Sequence, residues 1–330
     1  MSQLLRLSIG IPVHNGENYL AELLDCLLTQ TFRDFEIVIS DNASTDRTAE
    51  ICLDYANRDE RIRYSRNERN IGAARNFNRV FELARAPYFK WTAHDDLYHP
   101  TYLERCFETI EQDPEVVLCH SGVYFIADDG SPLRFDVERL CFVDNQGGTL
   151  KVSSLESALE ALEPIHLAEG RTAVSRFCDV VDRRTWCTYI FGVVRRDVLS
   201  STALHESYFG SDKVLLAELA LSGRFGQVED KLFAKRCHTG MTIHLSPQER
   251  AQWIDPDAQR VSTPVGMFMG YIKAVLRTRS LNLPGRIVCL AAIIRKTIRS
   301  EQWGWMLCRG RQAVFRTFLE RTGDKICNGK

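Results

Sequence analysis

Between residues 7 and 121, short β-prone runs alternate with amphipathic ones, and that rhythm leaves few folds open. Leu7–Val13, Phe35–Ser40, Ile62–Tyr64, Tyr88–Thr92 and Val116–Ser121 read as strands. Between them lie Tyr19–Leu28, Arg47–Asn57, a run opened by Asn70-Ile-Gly72 and a run to about Gln112, all of which read as helices. Strands and helices alternating at this spacing predict an α/β fold: a mostly parallel central sheet flanked by helices on both faces. In such sheets ligands collect beyond the C-terminal ends of the strands. His14, Asp41, Arg75 and the pair Asp95-Asp96 all fall on or just after that edge.

The stretch Phe89–Pro100 is the chemical focus. It closes a strand rich in aromatic and β-branched residues with two adjacent carboxylates, and Pro100 fits the first turn of a following helix. Neighbouring carboxylates repel unless a cation or a set of donors neutralises them, and a divalent metal carrying a phosphate group would do so. A second reading stays open: acidic residues also favour the positive end of a helix dipole. No G-x-G-x-x-G follows the first strand and no Walker A sequence occurs, which argues against a dinucleotide-dependent dehydrogenase or a P-loop phosphotransferase.

After Ser121 the rhythm changes. Val123–Ala127 and the turn Asp128-Asp-Gly130 suggest a hairpin, and residues 131–185 read as a mixed loop and helix insertion of the kind that selects substrates. Thr188–Val194 reads as a strand. Phe209–Lys213 starts a helix to about Leu221, ended by Gly223, and 225–228 and 232–237 read as two more strands.

The chain has 330 residues, 45% hydrophobic and 26% charged, enough for a large core. Its net charge of -1 hides an asymmetry, because residues 271–330 hold 13 Lys or Arg against 3 Asp or Glu. From Val265 onward apolar and basic residues interleave, through Phe268, Tyr271, Lys273 and Arg277, then Ile287–Ile294 with Arg295 and Lys296, then Trp303, Trp305, Phe315 and Phe318 among arginines. Pro284-Gly285 is expected to break this tail into two helices. Such helices suit an anionic membrane surface, and equally a helical cap on the acidic body or a dimer contact. No nucleic-acid module is recognisable, so nucleic acid is not expected as a partner. The 11 cysteines are scattered singly without a C-x-x-C pair, as in a reduced cytosolic protein. Met1–Arg6 leads straight into the first strand, with no signal peptide expected, and no apolar run reaches the roughly 18 residues of a membrane span.

Four motifs in this order, Ile11-Pro-Val-His-Asn15, Ser40-Asp-Asn-Ala-Ser-Thr-Asp46, Asn70-Ile-Gly-Ala-Ala-Arg-Asn76 and Asp95-Asp96, joined by Gly-Ser-Asp212 and Arg236-Cys-His238, carry a resemblance. Over roughly residues 6–245 the chain resembles the inverting family 2 glycosyltransferases, whose GT-A fold binds nucleotide-diphospho-sugars. The resemblance implies a catalytic domain at 1–245, with a nucleotide-binding half at 1–122 and an acceptor-binding half at 123–245, followed by a basic helical extension at 246–330. It implies a metal-dependent inverting enzyme of the hexosyltransferase type, taking a nucleotide-sugar donor, UDP-linked by preference, and a glycan or lipid-linked sugar acceptor in cell-surface polysaccharide synthesis. The protein is then expected in the cytoplasm, peripheral on the inner face of the membrane.

The implied roles are specific. The turn from Pro12 through His14 and Asn15 to Glu17 wraps the nucleoside, Asp41 accepts a hydrogen bond from the base, and Asn70 and Arg75 lie near base and phosphates. Asp95 serves the sugar-nucleotide side, while Asp96 holds Mg²⁺ or Mn²⁺ on the diphosphate with His238 close by. Asp212 is the catalytic base, or else Ser211 or Asp212 is merely a helix cap. Trp186 stands on the acceptor side, or packs in the core. Two positions depart from the pattern: His94 stands where relatives often have Asp, and Ser211 where they often have Glu or Asp. A sugar nucleotidyltransferase, the same-fold rival, lacks support because its Gly-rich, Lys-containing N-terminal loop is absent. A catalytically inactive scaffold that binds membrane or a partner remains the alternative from another class.

Overall fold

The computed structural model describes residues 4–136, 139, 141–144, 147–151, 166–183, 187–257 and 263–299. Trp186 and the aromatic residues beyond Arg299 lie outside them. Strand β1 (Leu7–Val13) and strand β2 (Phe35–Asp41) are buried at every position, as continuous apolar runs must be in a parallel sheet covered on both faces. Helix α1 (Leu20–Leu28) buries Leu20, Leu23, Leu24 and Leu27, one stripe of a 3.6-residue period. Helices α2 (Thr48–Arg58) and α3 (Ala73–Leu83) follow β2 and β3 (Ile62–Arg66). With β4 (Tyr88–Trp91), the order β3-β2-β1-β4 is parallel throughout.

Beyond β4 the sheet turns mixed. Strand β10 (Val193–Arg195) inserts antiparallel between β4 and β6 (Val116–Ile126), and β11 (Arg224–Arg236) runs parallel to β6. The hairpin expected at Gly130 is present, with Gly130 at φ +82° and β7 (Pro132–Asp136) returning along β6. Short strands β8 (Cys141–Val143) and β9 (Thr149–Lys151) extend it, within a segment expected to hold few strands.

Four other expectations need correcting. The acidic pair does not open a helix: Leu97–Tyr98 forms a short strand, β5, against β11, and α4 (Tyr102–Gln112) starts after Pro100. Thr188–Phe191 is a short 3-10 helix rather than strand: Cys187 before it takes a left-handed φ of +62°, which an extended run cannot contain, and Gly192 after it returns to extended backbone where a Cβ would be 2.5 Å from the Cys119 carbonyl. The two strands read at 225–237 are one strand, bulged between Val228 and Lys231. The tail breaks before Pro284-Gly285, which sit in the first turn of the last described helix, where proline is tolerated.

Two cores flank the sheet. One lies under α1, α2 and α4. The other gathers β4, α5 (Ala173–Asp182), a short helix α6 (Arg196–Ser200) and α7 (Ser211–Ser222). After α8 (Pro247–Ile254), the C-terminal helices α9 (Thr263–Arg277) and α10 (Leu283–Arg299) add Tyr271, Val275, Leu281, Cys289 and Ile293 to that second core. Their basic residues pair with the body: Lys273 with Glu206, Arg277 with Glu218 and Arg295 with Asp182. Their outer face is apolar, with Leu276, Leu283, Ile287, Ile294 and Ile298 each more than half exposed. Among the described residues no helix is long and apolar enough to cross a membrane.

Candidate active site

At the C-terminal edge of the parallel strands, side chains rather than secondary structure hold three loops together. Asn15, at φ +53°, receives Thr45 N–H at 2.8 Å and donates its own N–H to Ser44 Oγ at 2.9 Å. Asn adopts this left-handed region more readily than most residues. Glu17 accepts from Arg47 N–H at 3.0 Å and Gly16 N–H donates to Thr48 Oγ1 at 2.8 Å. Asn42 Nδ2 donates to Asn70 Oδ1 at 2.8 Å, and Asn70 lies 3.4 Å from the exposed imidazole of His14. Pro12 is buried in β1, in register with Ser40 of β2. Pro12, His14, Asn15, Glu17, Asp41 and Asn70 thus share one corner.

Two residues there are engaged in ways the sequence did not suggest. Asp41 has no exposed surface; its carboxylate accepts from Ser44 N–H and the Tyr64 hydroxyl at 2.8 Å and from Arg66 at 2.9 Å. Arg66 therefore forms the outer wall at Asp41. Tyr64 and Arg66 alternate along β3, and Arg66 pairs in register with Asp41, so period-2 alternation was the signal available for finding them. Arg75, expected near base and phosphates, is paired with Asp255 at 3.2 Å and Asp257 at 3.3 Å, and Arg69 also holds Asp257.

The acidic pair divides its labour. Asp96, expected to hold the metal, is fully buried, takes Lys235 Nζ at 3.0 Å and accepts the Arg236 N–H at 3.1 Å. Burial pushes its carboxyl up, to about 6, against the pull of Lys235. Asp95, expected on the sugar-nucleotide side, is the carboxylate beside His238: Oδ2 and Nε2 are 2.9 Å apart, and both side chains keep some exposure. Burial would raise Asp95, yet Lys235 and the His238 hydrogen bond outweigh it and hold the carboxyl below its usual range. Arg236, with 1% of its surface exposed, braces this point by donating to the Asp95 carbonyl at 2.9 Å, the Asp128 carbonyl at 2.7 Å and Glu22 at 2.6 Å. His94 packs on Gly16, where a Cβ would lie 3.0 Å from its ring, and Tyr19 lies 5.1 Å from the His238 ring, so the nucleoside corner and Asp95 adjoin.

A carboxylate oxygen and an imidazole nitrogen converging at one largely buried point, each side chain 13% exposed, are groups that a divalent cation such as Mn²⁺ takes. Among the described residues no cluster of three or more His, Cys, Asp or Glu forms, so the remaining ligands to a cation would be donor oxygens and water.

Asp212 sits in the first turn of α7, behind Gly210 at φ +89° rather than at the cap position itself. Its carboxylate accepts the Lys213 N–H at 2.9 Å, and burial pushes its carboxyl up. The Cys187 thiol donates to it from the residue preceding the 3-10 helix Thr188–Phe191. At the other end of that helix Phe191 lies beneath Lys235, the partner of Asp96, and its carbonyl accepts from Lys90.

Comparison with known proteins places these features in context. Residues 8–150 match the family described as Glycosyl transferase family 2. An uncharacterised glycosyltransferase of Methanocaldococcus jannaschii is 34% identical over 129 residues, 38% of this chain and 44% of that protein. The glycosyltransferase GlyG of Streptococcus pneumoniae is 28% identical over 191 residues, 52% of this chain and 62% of GlyG. The matched region spans less than two thirds of either relative. Among solved structures, TarS residues 1–349 from S. aureus, in complex with UDP-GlcNAc, aligns with a TM-score of 0.61 at 17% identity, covering 92% of this chain and 75% of that one. The mannosyltransferase PcManGT of Pyrobaculum calidifontis, in complex with GDP-Man and Mn²⁺, aligns at 0.51 and 16% identity, covering 96% and 84%. At such identities the likeness is one of fold, and the fold is the helix-flanked mixed sheet of the GT-A class.

Proposed function

Since residues 8–150 match glycosyl transferase family 2, we propose that the chain is a metal-dependent inverting glycosyltransferase acting from a nucleotide-diphosphate sugar, UDP-linked by preference, on a glycan or lipid-linked acceptor. The observation that carries this reading is the convergence of Asp95 and His238 beside the loops of His14, Asp41 and Asn70. The donor nucleoside lies in that corner, with Arg66 and Asn70 toward its base. Asp95 and His238 hold Mg²⁺ or Mn²⁺, which when bound neutralises charge gathering on the leaving diphosphate. Asp96 is the buried strut that fixes Lys235 and the start of β5. Asp212 takes the proton from the acceptor hydroxyl as that oxygen attacks the anomeric carbon from the face opposite the diphosphate, which inverts the centre. TarS and PcManGT, as described, bind UDP-GlcNAc and GDP-Man, and both donors are therefore the ones to try first.

The apolar outer face of α9 and α10 supports peripheral attachment to a membrane, where a lipid-linked acceptor is presented. The test is turnover of UDP-GlcNAc and GDP-Man with Mn²⁺, read as release of nucleoside diphosphate. Release that needs the metal and falls in Asp95→Asn and Asp212→Asn sustains the reading. A protein that neither binds nor turns over any nucleotide sugar is the inactive scaffold instead.

A further inference from the structure

Asp41 stands in the nucleoside corner but is closed to a nucleoside. Its side chain has no exposed surface, and three donors occupy its two oxygens: Ser44 N–H on Oδ1 at 2.8 Å, and on Oδ2 the Tyr64 hydroxyl at 2.8 Å and Arg66 Nη1 at 2.9 Å. A base that reached this carboxylate would have to push Arg66 off a buried anion, and stripping a buried charge of its partner is strongly unfavourable. What the corner shows to solvent is the other half of that ion pair: the Arg66 side chain is 44% exposed.

Local structure fixes that guanidinium in place. Its second terminal nitrogen, Nη2, donates to the Ser44 carbonyl at 2.7 Å, while Ser44 Oγ receives the Asn15 N–H at 2.9 Å, so one residue ties Arg66 to the turn after β1. Ala43, at φ +59°, takes a left-handed conformation uncommon for a residue with a Cβ. It lies in the turn that brings Ser44 N–H back onto Asp41 while the Asn42 side chain meets Asn67 and Asn70. On the far side of Arg66, Asn67 donates its N–H to the Asp41 carbonyl at 2.8 Å and its side-chain amide to Asn76 at 3.0 Å. A guanidinium carries five N–H donors in one plane and no acceptor. Two are spent on Asp41 and Ser44, and the exposed remainder of the fork can only donate.

We propose that Arg66, rather than Asp41, reads the donor base, and that it selects bases carrying a carbonyl where others carry an amine. This rests on the donor nucleoside lying in that corner. At position 4 of a pyrimidine or 6 of a purine, uracil and guanine present an acceptor oxygen, whereas cytosine and adenine present an amino donor. A charged donor strengthens its hydrogen bond to the first pair and meets the second donor to donor. UDP and GDP therefore share one readout, and CDP and ADP lack it. Asp41 acts through Arg66 as a positioning residue: its buried negative charge holds the guanidinium at the corner.

The experiment measures dissociation constants of UDP, CDP, GDP and ADP with Mn²⁺ by calorimetry on the full chain, as wild type, Arg66→Met, Arg66→Gln and Tyr64→Phe, each first checked for a cooperative thermal transition. The wild type should hold the oxo member of whichever pair it binds about tenfold or more tighter than the amino member, the effect of one charge-assisted hydrogen bond. Arg66→Met should bring that ratio close to one, and so should Arg66→Gln, whose amide both donates and accepts. Tyr64→Phe, which takes a donor from Asp41 but leaves Arg66, should keep it. A ratio unchanged or raised in the folded Arg66 variants, or lost equally in Tyr64→Phe, assigns the reading to Asp41 and overturns the proposal. Equal wild-type binding of oxo and amino nucleotides overturns it too while the donor site stands. If none of the four binds, both readings fall.

Discussion

Asp95 and Asp96 are neighbours in the chain and opposites in environment, and the contrast makes separable predictions. Asp96→Asn leaves Lys235 buried without its charge partner, so it should lower stability by about 3–5 kcal/mol, measurable by denaturant unfolding. Asp95→Asn gives up a carboxylate that the fold stabilises as the anion, so it should lose some stability at neutral pH as well, and in addition lose the metal-dependent part of nucleotide binding in calorimetry. The sequence shows that two carboxylates end this strand but not which faces the ligand, because the bend into β5 decides it and a two-residue strand leaves no periodic signal. Asp212→Asn should cut kcat about 10²–10⁴-fold while the thermal transition stays in place. Because burial raises the Asp212 carboxyl, the active base form is lost as pH falls through a value above that of an ordinary carboxylate, and the acid limb of kcat/KM should appear there. Lys90 makes a different case: fully buried among Tyr98 and Tyr102 and, among the described residues, without a carboxylate in hydrogen-bond contact, it is depressed by burial to about 7. The unfolded chain keeps that proton up to its ordinary pKa, so the penalty is full below pH 7 and fades as pH rises toward 10.5. Lys90→Met should therefore raise stability at pH 6 by about 2 kcal/mol, an advantage that shrinks by pH 10.

At the scale of elements, what the sequence reveals depends on how the element is stabilised. β1, β2 and α1 are legible because burial itself writes their period. The short helix Thr188–Phe191 is not, since its aromatic and β-branched residues favour a strand and the left-handed backbone at Cys187 that breaks the run falls on a residue type with no such preference. The segment Ile254–Asp257 is equally hidden: its contacts with Arg69, Gly72 and Arg75 join residues about 180 positions apart. Gly72 is the pivot there, at φ +84° and with the Ile254 carbonyl 2.4 Å from where a Cβ would be. Gly72→Ala should cost about 2–3 kcal/mol and free the Asp255–Asp257 segment, seen as faster amide exchange at 254–257 with β1 unchanged.

For the whole molecule, part of the charge asymmetry between the ends of the chain is met by pairing: in the described helices α9 and α10, Lys273, Arg277 and Arg295 meet acidic partners on the body, and apolar residues of their far face remain outside. If that face attaches to lipid, full-length protein should float with anionic vesicles, and a variant with Leu283, Ile287, Ile294 and Ile298 changed to Ser should float far less. Equal flotation of the two would remove the membrane from the reading. The donor corner, the buried Asp96 strut and the base on α7 draw on both halves of the sheet, so binding must stabilise the fold as one unit. The most direct measurement is a thermal-shift series with UDP, dTDP, GDP and CMP, each with and without Mn²⁺. A ligand at about 100 times its Kd adds about 2.7 kcal/mol to the native state. One nucleoside diphosphate should raise the transition only when Mn²⁺ is present, and Asp95→Asn should abolish that increment. No shift with any nucleotide, with or without the metal, would contradict a donor site at Asp95 and His238.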